Sequence, residues 1–340
     1  MKKLSIVLSF LMIILLVISL VVSCTPKPKE TVTLRLPMGQ PAGDPFVTIY
    51  QDMADRFNER AGGEYEIVIY PGGSLVKIPE QLDASRTGAA ELGSIGMGMY
   101  SGAENRFYAT EMPFLYDNVH ALAAGTGPEL VKLVNDEIMV EKFNQIALGA
   151  HHTEMIELIS TRPVRTLEDW PGLLLGAISP GLAAYTTQMG GTAVTSTFAE
   201  TYSNLEKGVT DASLESPTAM LILGFVDVAK YVTFMSAIPT AFVITVNLDV
   251  WNAMPKKTKD ILTEEVQQLG ETLNEHFTNN YLANQERLAA AGVEVYVLPK
   301  AERDRWHEVI RPYTEEQLAS MGAFGAGLKQ IADKANAENP

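Results

Sequence analysis

The chain repeats a strand-then-helix pattern, and this alternation constrains its fold more than any other feature. Short β-branched and apolar runs that end at Gly or Pro clusters predict strands, and the amphipathic segments between them predict helices. The first series has strands at 31–38, 65–73 and 90–97 and helices at 46–60 and 78–87. After a Pro-bearing link, the second series has strands at 173–178, 192–195 and 210–214 and helices at 181–189 and 199–207. The predicted fold is therefore α/β, with two lobes and mainly parallel sheets.

A long helical pattern follows a further strand predicted at 242–248. It begins at Pro255, which suits the first turn of a helix, and its apolar residues keep helical spacing to about Leu288. At about 1.5 Å per residue this helix would be roughly 50 Å long, which exceeds the width of one lobe. We therefore expect it to span both lobes.

The remaining elements complete the expected organisation. One strand is predicted over 145–161, a late amphipathic helix is expected to be interrupted at Pro312, and residues 332–340 are expected to be disordered. The expected units are a signal peptide (1–23), a tether (24–30), lobe I (31–152 with 241–254), lobe II (153–240 with 290–312), the spanning helix (255–289) and a C-terminal helix with a tail (313–340).

The N-terminus has the features of a signal peptide. Lys2 and Lys3 precede an unbroken apolar run that ends at Ser23 and Cys24. A transmembrane helix is the competing interpretation, but a Pro- and Lys-bearing tether follows the run, whereas stop-transfer helices usually end in Lys and Arg. Small residues before a Cys resemble the bacterial lipobox. We therefore expect Cys24 to carry a lipid that holds the domain on the outer side of a bacterial membrane.

A single cysteine and a strongly negative charge restrict the possible functions. Cys24 is the only cysteine, so the folded part has no disulfide, Cys-based zinc site or catalytic thiol. The formal net charge is −15, which speaks against nucleic-acid binding and leaves membrane contact to the lipid. The chain also lacks a complete nucleotide-binding loop and a Gly-x-Ser-x-Gly elbow. No cofactor and no enzymatic activity are expected.

Several short segments occur in the order seen in one known family. They are YPGGSL (70–75), MPFLY (112–116), RPVRTLEDWPGL (162–173), ETYSNLEKGVTDAS (200–213), VAKYVT (228–233), VWNAMP (250–255) and GVEVYVL (292–298). Together they resemble the solute-binding proteins of TRAP transporters, the tripartite ATP-independent periplasmic systems. The resemblance implies a two-lobe fold of the periplasmic-binding-protein type that closes around one small solute. It also implies delivery of that solute to integral-membrane TRAP permease subunits.

One strand departs from the family pattern at the position that usually binds a carboxylate. Most members carry an Arg there, in a motif like Gly-Leu-Lys-Ile-Arg-Val, whereas this chain has Gly176. The strand before the linker also lacks the second Arg that some members have. Glycine cannot replace a planar, bidentate guanidinium, so a simple dicarboxylate is disfavoured as the solute.

Two solute classes remain open. An amine-bearing or cationic solute would be matched by Glu154 and Glu215, with His152 on the same strand face as Glu154. Its apolar or cation–π walls would come from Phe198, Tyr202 and Met97. An uncharged, largely apolar solute would instead use the space left by Gly176 and the adaptable side chains of Met38, Met97 and Met99.

The pair His151 and His152, with Glu154 nearby, could also suggest a metal site. Two or three ligands on one strand without a further partner are too few, so no metal is expected. The expected function is therefore capture and delivery of a small solute. A ligand sensor for a membrane receptor is the first alternative, and an exported enzyme on the same fold is the second.

Overall fold

Helices and strands alternate along most of the described chain, which in this computed structural model comprises residues 31–177, 179–197 and 200–340. The strands are β1 (Val32–Pro37), β2 (Tyr65–Tyr70), β3 (Leu92–Gly96), β4 (Gln145–His152), β5 (Ile156–Ser160), β6 (Leu174–Ala177), β7 (Thr192–Thr195), β8 (Ala212–Glu215), β9 (Tyr231–Ile238), β10 (Ala241–Asn247) and β11 (Glu294–Val297). The expectations for the signal peptide, Cys24, the tether and Phe198 lie outside the described residues.

The α-helices are of very unequal length. They are α1 (Pro45–Ala61), α2 (Gln81–Thr87), α3 (Val119–Gly125), α4 (Pro128–Val134), α5 (Val140–Lys142), α6 (Pro180–Gln188), α7 (Thr201–Glu206), α8 (Pro217–Ile222), α9 (Phe225–Val228), α10 (Leu248–Ala253), α11 (Lys256–Ala290), α12 (Lys300–Ser320) and α13 (Gly322–Glu338). Short 3₁₀ helices include Met97–Tyr100 and Asn105–Glu111. Within the described ranges, no helix combines the length and apolar character needed to cross a bilayer.

The strands form two groups, one in each lobe. In the first lobe, β1 and β2 pair in parallel, and β3, β10 and β4 form an antiparallel sheet in that order. In the second lobe, six strands pair in the order β11-β9-β5-β8-β6-β7. The prediction of an α/β fold with two lobes is confirmed.

The prediction of mainly parallel sheets is wrong, and so is the single strand over 145–161. That segment forms β4 in the first lobe and β5 in the second, and β9 and β10 likewise lie in different lobes. Two neighbouring strands pair in parallel when a crossover connection, usually a helix, carries the chain back to the end of the sheet where the first strand began. A strand that the chain enters directly from the other lobe has no such connection. Such strands therefore pair antiparallel, as β10 does with β3 and β4.

The 35-residue helix α11 runs along both lobes, as predicted. It packs against α1 and β4 of the first lobe and against α8 and β11 of the second. Gly270 allows this contact, because a Cβ at that position would lie only 2.8 Å from the backbone oxygen of Ala150 in β4. Helix α11 and the two direct connections between lobes, β4–β5 and β9–β10, thus join the two lobes.

Two predictions about the C-terminus are wrong. Helix α12 continues through Pro312, since its buried face, which includes Trp306 and Ile310, is held against the second lobe. Helix α13 returns to the first lobe and continues to Glu338 with Ala332 buried. Burial of that apolar face offsets the entropy cost of ordering residues that were expected to be disordered.

Candidate functional site

The segment that follows β3 in the first lobe contacts the segment that follows β6 in the second lobe. Tyr108 follows β3 in the first lobe, and Gly181 lies in the first turn of α6, which follows β6 in the second. Their contact is so close that a Cβ on Gly181 would be 2.2 Å from Cε2 of Tyr108. In open α/β sheets, small molecules bind outside the carboxyl ends of the strands. We therefore take the cleft at this contact as the candidate site.

His152 and Glu154 do not share a strand face, which corrects the prediction. β4 ends at His152, and the chain then turns at Thr153. The backbone N–H of Thr153 donates to the backbone oxygen of Thr240 (3.2 Å). The Nε2 atom of His152 lies 3.0 Å from the Thr278 hydroxyl of α11. The side chain is wholly buried, and this burial lowers its pKa to about 3. His152 is therefore neutral at pH 7 and packs against α11, and its contact with a solute stays a prediction.

Glu154 is buried at the junction of the lobes and is well supplied with donors. Its carboxylate accepts from the Thr218 backbone N–H (2.9 Å), the Thr218 hydroxyl (2.8 Å) and Nδ2 of Asn284 (2.8 Å). These donors belong to α8 and α11, so Glu154 ties the β4–β5 crossing to both helices. Burial nevertheless raises its pKa. The geometry assigns Glu154 a structural role, and its contact with a solute stays a prediction.

Glu215 ends β8 and lies directly opposite Glu157 of β5 in the sheet. Its carboxylate accepts from the hydroxyls of Ser213 (2.9 Å) and Thr201 (3.4 Å). Burial raises the pKa of both Glu215 and Glu157 to about 7. Glu157 in turn accepts from the backbone N–H of Met235 (2.5 Å) and of Ser236 (3.2 Å).

The space beside Gly176 is already occupied. A Cβ at this position would meet Cγ2 of Thr210 at 3.5 Å and Cβ of Ser196 at 3.8 Å, which are ordinary packing distances. The glycine therefore leaves room for a methyl group but does not open a large cavity. This arrangement does not support the prediction that Gly176 makes space for an apolar solute.

Arg303 is a basic residue whose charge favours the ionised form of buried Glu157, but its guanidinium already has partners. Its nitrogens donate to the backbone oxygens of Met235 (3.2 Å), Ser236 (3.0 Å) and Tyr116 (3.1 Å), and its Cζ lies 4.9 Å from the centroid of the Phe114 ring. These contacts hold α12 against β9 of the second lobe and against the segment 114–116. Arg303 does not replace the missing guanidinium at Gly176.

The predicted apolar wall residues occupy different environments. Met38 and Met97 are buried in two separate core clusters, whereas Met99 is exposed. Tyr202 is partly buried and packs against the larger cluster. Burial in the core does not support solute contact by Met38 or Met97, and their assignment to the site stays a prediction.

Two residues at the lobe contact were missed by the sequence analysis. Glu111 and Tyr108 lie three residues apart in the 3₁₀ helix Asn105–Glu111, and the Tyr108 hydroxyl lies 3.4 Å from that of Tyr313 in α12. Burial raises the pKa of Glu111 to about 7. The spacing of an acid and a tyrosine just before the MPFLY segment was the available signal, but a 3₁₀ helix was not anticipated there.

Metal binding has no support in the part of the chain that the structure describes. No group of three or more His, Cys, Asp or Glu side chains converges there. His151, the neighbour of His152, stacks on Phe242 and Phe277 with ring centroids 5.4 and 5.9 Å away. Its imidazole thus belongs to an aromatic cluster.

Comparison with solved structures shows that this fold is shared. A TRAP periplasmic solute binding protein from Ochrobactrum anthropi has a TM-score of 0.82 and 23% identity, and the match covers 91% of this chain and 97% of that one. A protein of the same description from Haemophilus influenzae, solved with bound L-gulonate, has a TM-score of 0.78 and 18% identity. That match covers 90% of this chain and 100% of the other.

Sequence comparison identifies the family. The C4-dicarboxylate-binding periplasmic protein DctP of Rhodobacter capsulatus is 22% identical over 278 residues, which cover 81% of this chain and 82% of that protein. The C4-dicarboxylate-binding protein DctB of Bacillus subtilis is 24% identical over 76% of this chain and 74% of its own length. The family model for bacterial extracellular solute-binding proteins, family 7, matches residues 38–320. The chain therefore belongs to family 7 of the bacterial extracellular solute-binding proteins.

Proposed function

We propose that this protein captures one small solute between its two lobes and delivers it to a TRAP-type membrane permease. The observation that carries the proposal is the way the lobes are joined, by the β4–β5 crossing, the β9–β10 crossing and α11. Segments that cross between lobes can act as a hinge, and a solute that binds the closed form better than the open form shifts the equilibrium toward closure. No step of this cycle requires catalysis.

The finer proposal for location is that a lipid on Cys24 tethers the mature domain to the outer side of a bacterial membrane. Tethering would raise the effective concentration of the solute-loaded domain near the permease. Mass spectrometry of the mature N-terminus should detect the lipid. A Cys24→Ala variant should move from the membrane fraction to the soluble fraction, and retention of this variant in the membrane would argue for an uncleaved anchor.

For the solute, we propose an amine-bearing or an uncharged apolar molecule in preference to a simple dicarboxylate. Gly176 provides no guanidinium, and Arg303 is engaged by backbone oxygens. A dicarboxylate would also face the buried carboxyl of Glu215, which is a repulsive neighbour when ionised. The relatives DctP and DctB, which are described as binding C4-dicarboxylates, make succinate the essential competing solute.

Thermal-shift screening of the mature domain tests the function directly. A solute at one hundred times its dissociation constant should add about 2.7 kcal/mol to the free energy of unfolding. The screen should include amines, neutral sugars, apolar acids and dicarboxylates. Stabilisation by any one compound, confirmed by calorimetry, would support solute capture, and the absence of binding across the library would count against it.

A further inference from the structure

A carboxylate without a partner lies on the side of the first lobe that faces the cleft. The segment Asn105–Glu111 is a 3₁₀ helix, in which residues three apart lie on the same face. Tyr108 and Glu111 have this spacing, and Tyr108 reaches Gly181 of the second lobe. Glu111 therefore lies on the face that the first lobe turns toward α6 and α12.

The local backbone makes room for this carboxylate. A Cβ on Gly98 would lie 2.0 Å from Oε1 of Glu111 and 2.6 Å from its Cδ. Gly98 belongs to the 3₁₀ helix Met97–Tyr100, which directly follows β3. Glu111 thus occupies the space that a side chain would fill after the carboxyl end of β3, where ligands of α/β proteins bind.

Glu111 differs from the other acids of this region in its partners. Glu154 and Glu215 receive hydrogen bonds from neighbouring hydroxyl and amide groups. Across the described ranges, the Glu111 carboxylate has no hydrogen bond and no ion pair, and burial is the single cause of its raised pKa. An ionised carboxylate without a donor from the protein keeps its acceptor capacity available to water or to a solute.

We infer that Glu111 is the negative pole of the solute site and pairs with an ammonium or other cationic group of the solute. This inference rests on the proposed function and narrows it from two solute classes to one. The solute would place its cationic group beside Gly98 and Tyr108 when the lobes close. Tyr108 would add an aromatic face, and its hydroxyl already lies 3.4 Å from that of Tyr313. Glu215 and Glu154, which have internal donors, would not be required for the charge pairing.

Two series of size-matched compounds test the inference by calorimetry and thermal shift. The four-carbon series is 1,4-diaminobutane, 1,4-butanediol and succinate, and the hexose series is glucosamine, glucose and glucuronate. We expect the amine of at least one series to bind more than about tenfold more tightly than its neutral and anionic counterparts. Tighter binding of succinate or glucuronate would overturn the inference while supporting the proposed function. If neither amine binds, the inference is also overturned.

Variants then locate the charge that recognises the amine. Glu111→Gln should weaken amine binding by more than about tenfold and leave the neutral counterpart within about twofold. Glu59→Gln removes the same charge from an exposed site on α1 and should have no effect. If Glu215→Gln weakens amine binding and Glu111→Gln does not, Glu215 is the recognition group and the inference is wrong. Urea unfolding of each variant separates a lost contact from a lost fold.

Discussion

The ring of Tyr108 lies where a side chain at Gly181 would have to be. A Cβ at Gly181 would come within 2.2 Å of Cε2 and 2.6 Å of Cζ of that ring. The two residues belong to different lobes, so the absence of a side chain at one position sets how closely the lobes approach. Because the Tyr108 hydroxyl also lies near that of Tyr313, the ring has little freedom to move away.

Gly181→Ala should therefore favour the open form of the protein. The methyl group would displace the tyrosine ring or separate the lobes, and solute affinity should fall because part of the binding energy must restore closure. We expect at least about a tenfold loss of affinity, together with a larger radius of gyration in small-angle X-ray scattering of the solute-saturated protein. The double variant Tyr108→Ala/Gly181→Ala removes the clash and should recover closure. Normal compaction of Gly181→Ala alone would contradict this role.

Glu154→Gln should destabilise the junction of the lobes. Glutamine keeps one acceptor oxygen but places an amide donor against the donors from Thr218 and Asn284. Leaving buried donors unpaired costs about 1–3 kcal/mol, which should appear as a lower midpoint in urea unfolding. Thr218→Ser is the control, since it keeps both the hydroxyl and the backbone N–H. Equal stability of Glu154→Gln and the wild type would show that these hydrogen bonds contribute little.

The fold could be predicted wherever local sequence patterns mark both ends of a single helix or strand. β1, α1 and the long helix α11 could be predicted from the periodicity of their apolar residues and from the Gly and Pro residues that mark their ends. The division of 145–161 into β4 and β5 could not be predicted, because the turn at Thr153 depends on Thr240, which is distant in the sequence. The order of α13 likewise depends on a core that only the folded chain provides.

Prediction of the site was weaker for the same physical reason. Glu154 and Glu215 were predicted to contact the solute, which stays a prediction, and their hydrogen-bond partners Asn284 and Thr201 come from other elements. The pairing of a carboxylate cannot be inferred from its own segment. Glu111 was overlooked because no helix was predicted over residues 105–111, and without one its spacing to Tyr108 does not place the two side chains on one face.

The contribution of Glu215 to the stability of the protein should fall as pH rises from about 4.5 to about 7. Burial raises the pKa of Glu215 from 4.5 to about 7, so the folded state holds this proton more tightly than the unfolded state. Deprotonation therefore costs stability, by roughly 3 kcal/mol for one such group. Glu215→Gln should be more stable than the wild type at pH 8 and should differ less at pH 4. Urea unfolding at both pH values tests this, and an identical pH dependence in the two proteins would argue that Glu215 titrates normally.

Gly176→Ala should be tolerated, because the added methyl group meets Thr210 and Ser196 at packing distances. Reduced backbone freedom in the unfolded chain should raise the free energy of unfolding by about 0.4–1 kcal/mol. Solute affinity should stay within about twofold of the wild type if the space beside Gly176 is filled by protein side chains and not by the solute. Calorimetry with any solute found in the screen provides the measurement. A loss of tenfold or more would place the solute against Gly176.

Gly98→Ala provides the contrasting case, because its methyl group would lie 2.0 Å from Oε1 of Glu111. The end of a glutamate side chain can rotate away, so the fold should persist while the carboxylate leaves its position beside β3. We expect amine affinity to fall by about tenfold or more, as in Glu111→Gln, because the charge remains in the protein but is misplaced. The variant Gly98→Ala/Glu111→Gln should bind no more weakly than Glu111→Gln alone, since two changes that disable the same contact are not additive. Additive losses in this double variant would mean that Gly98 acts on the solute independently of Glu111.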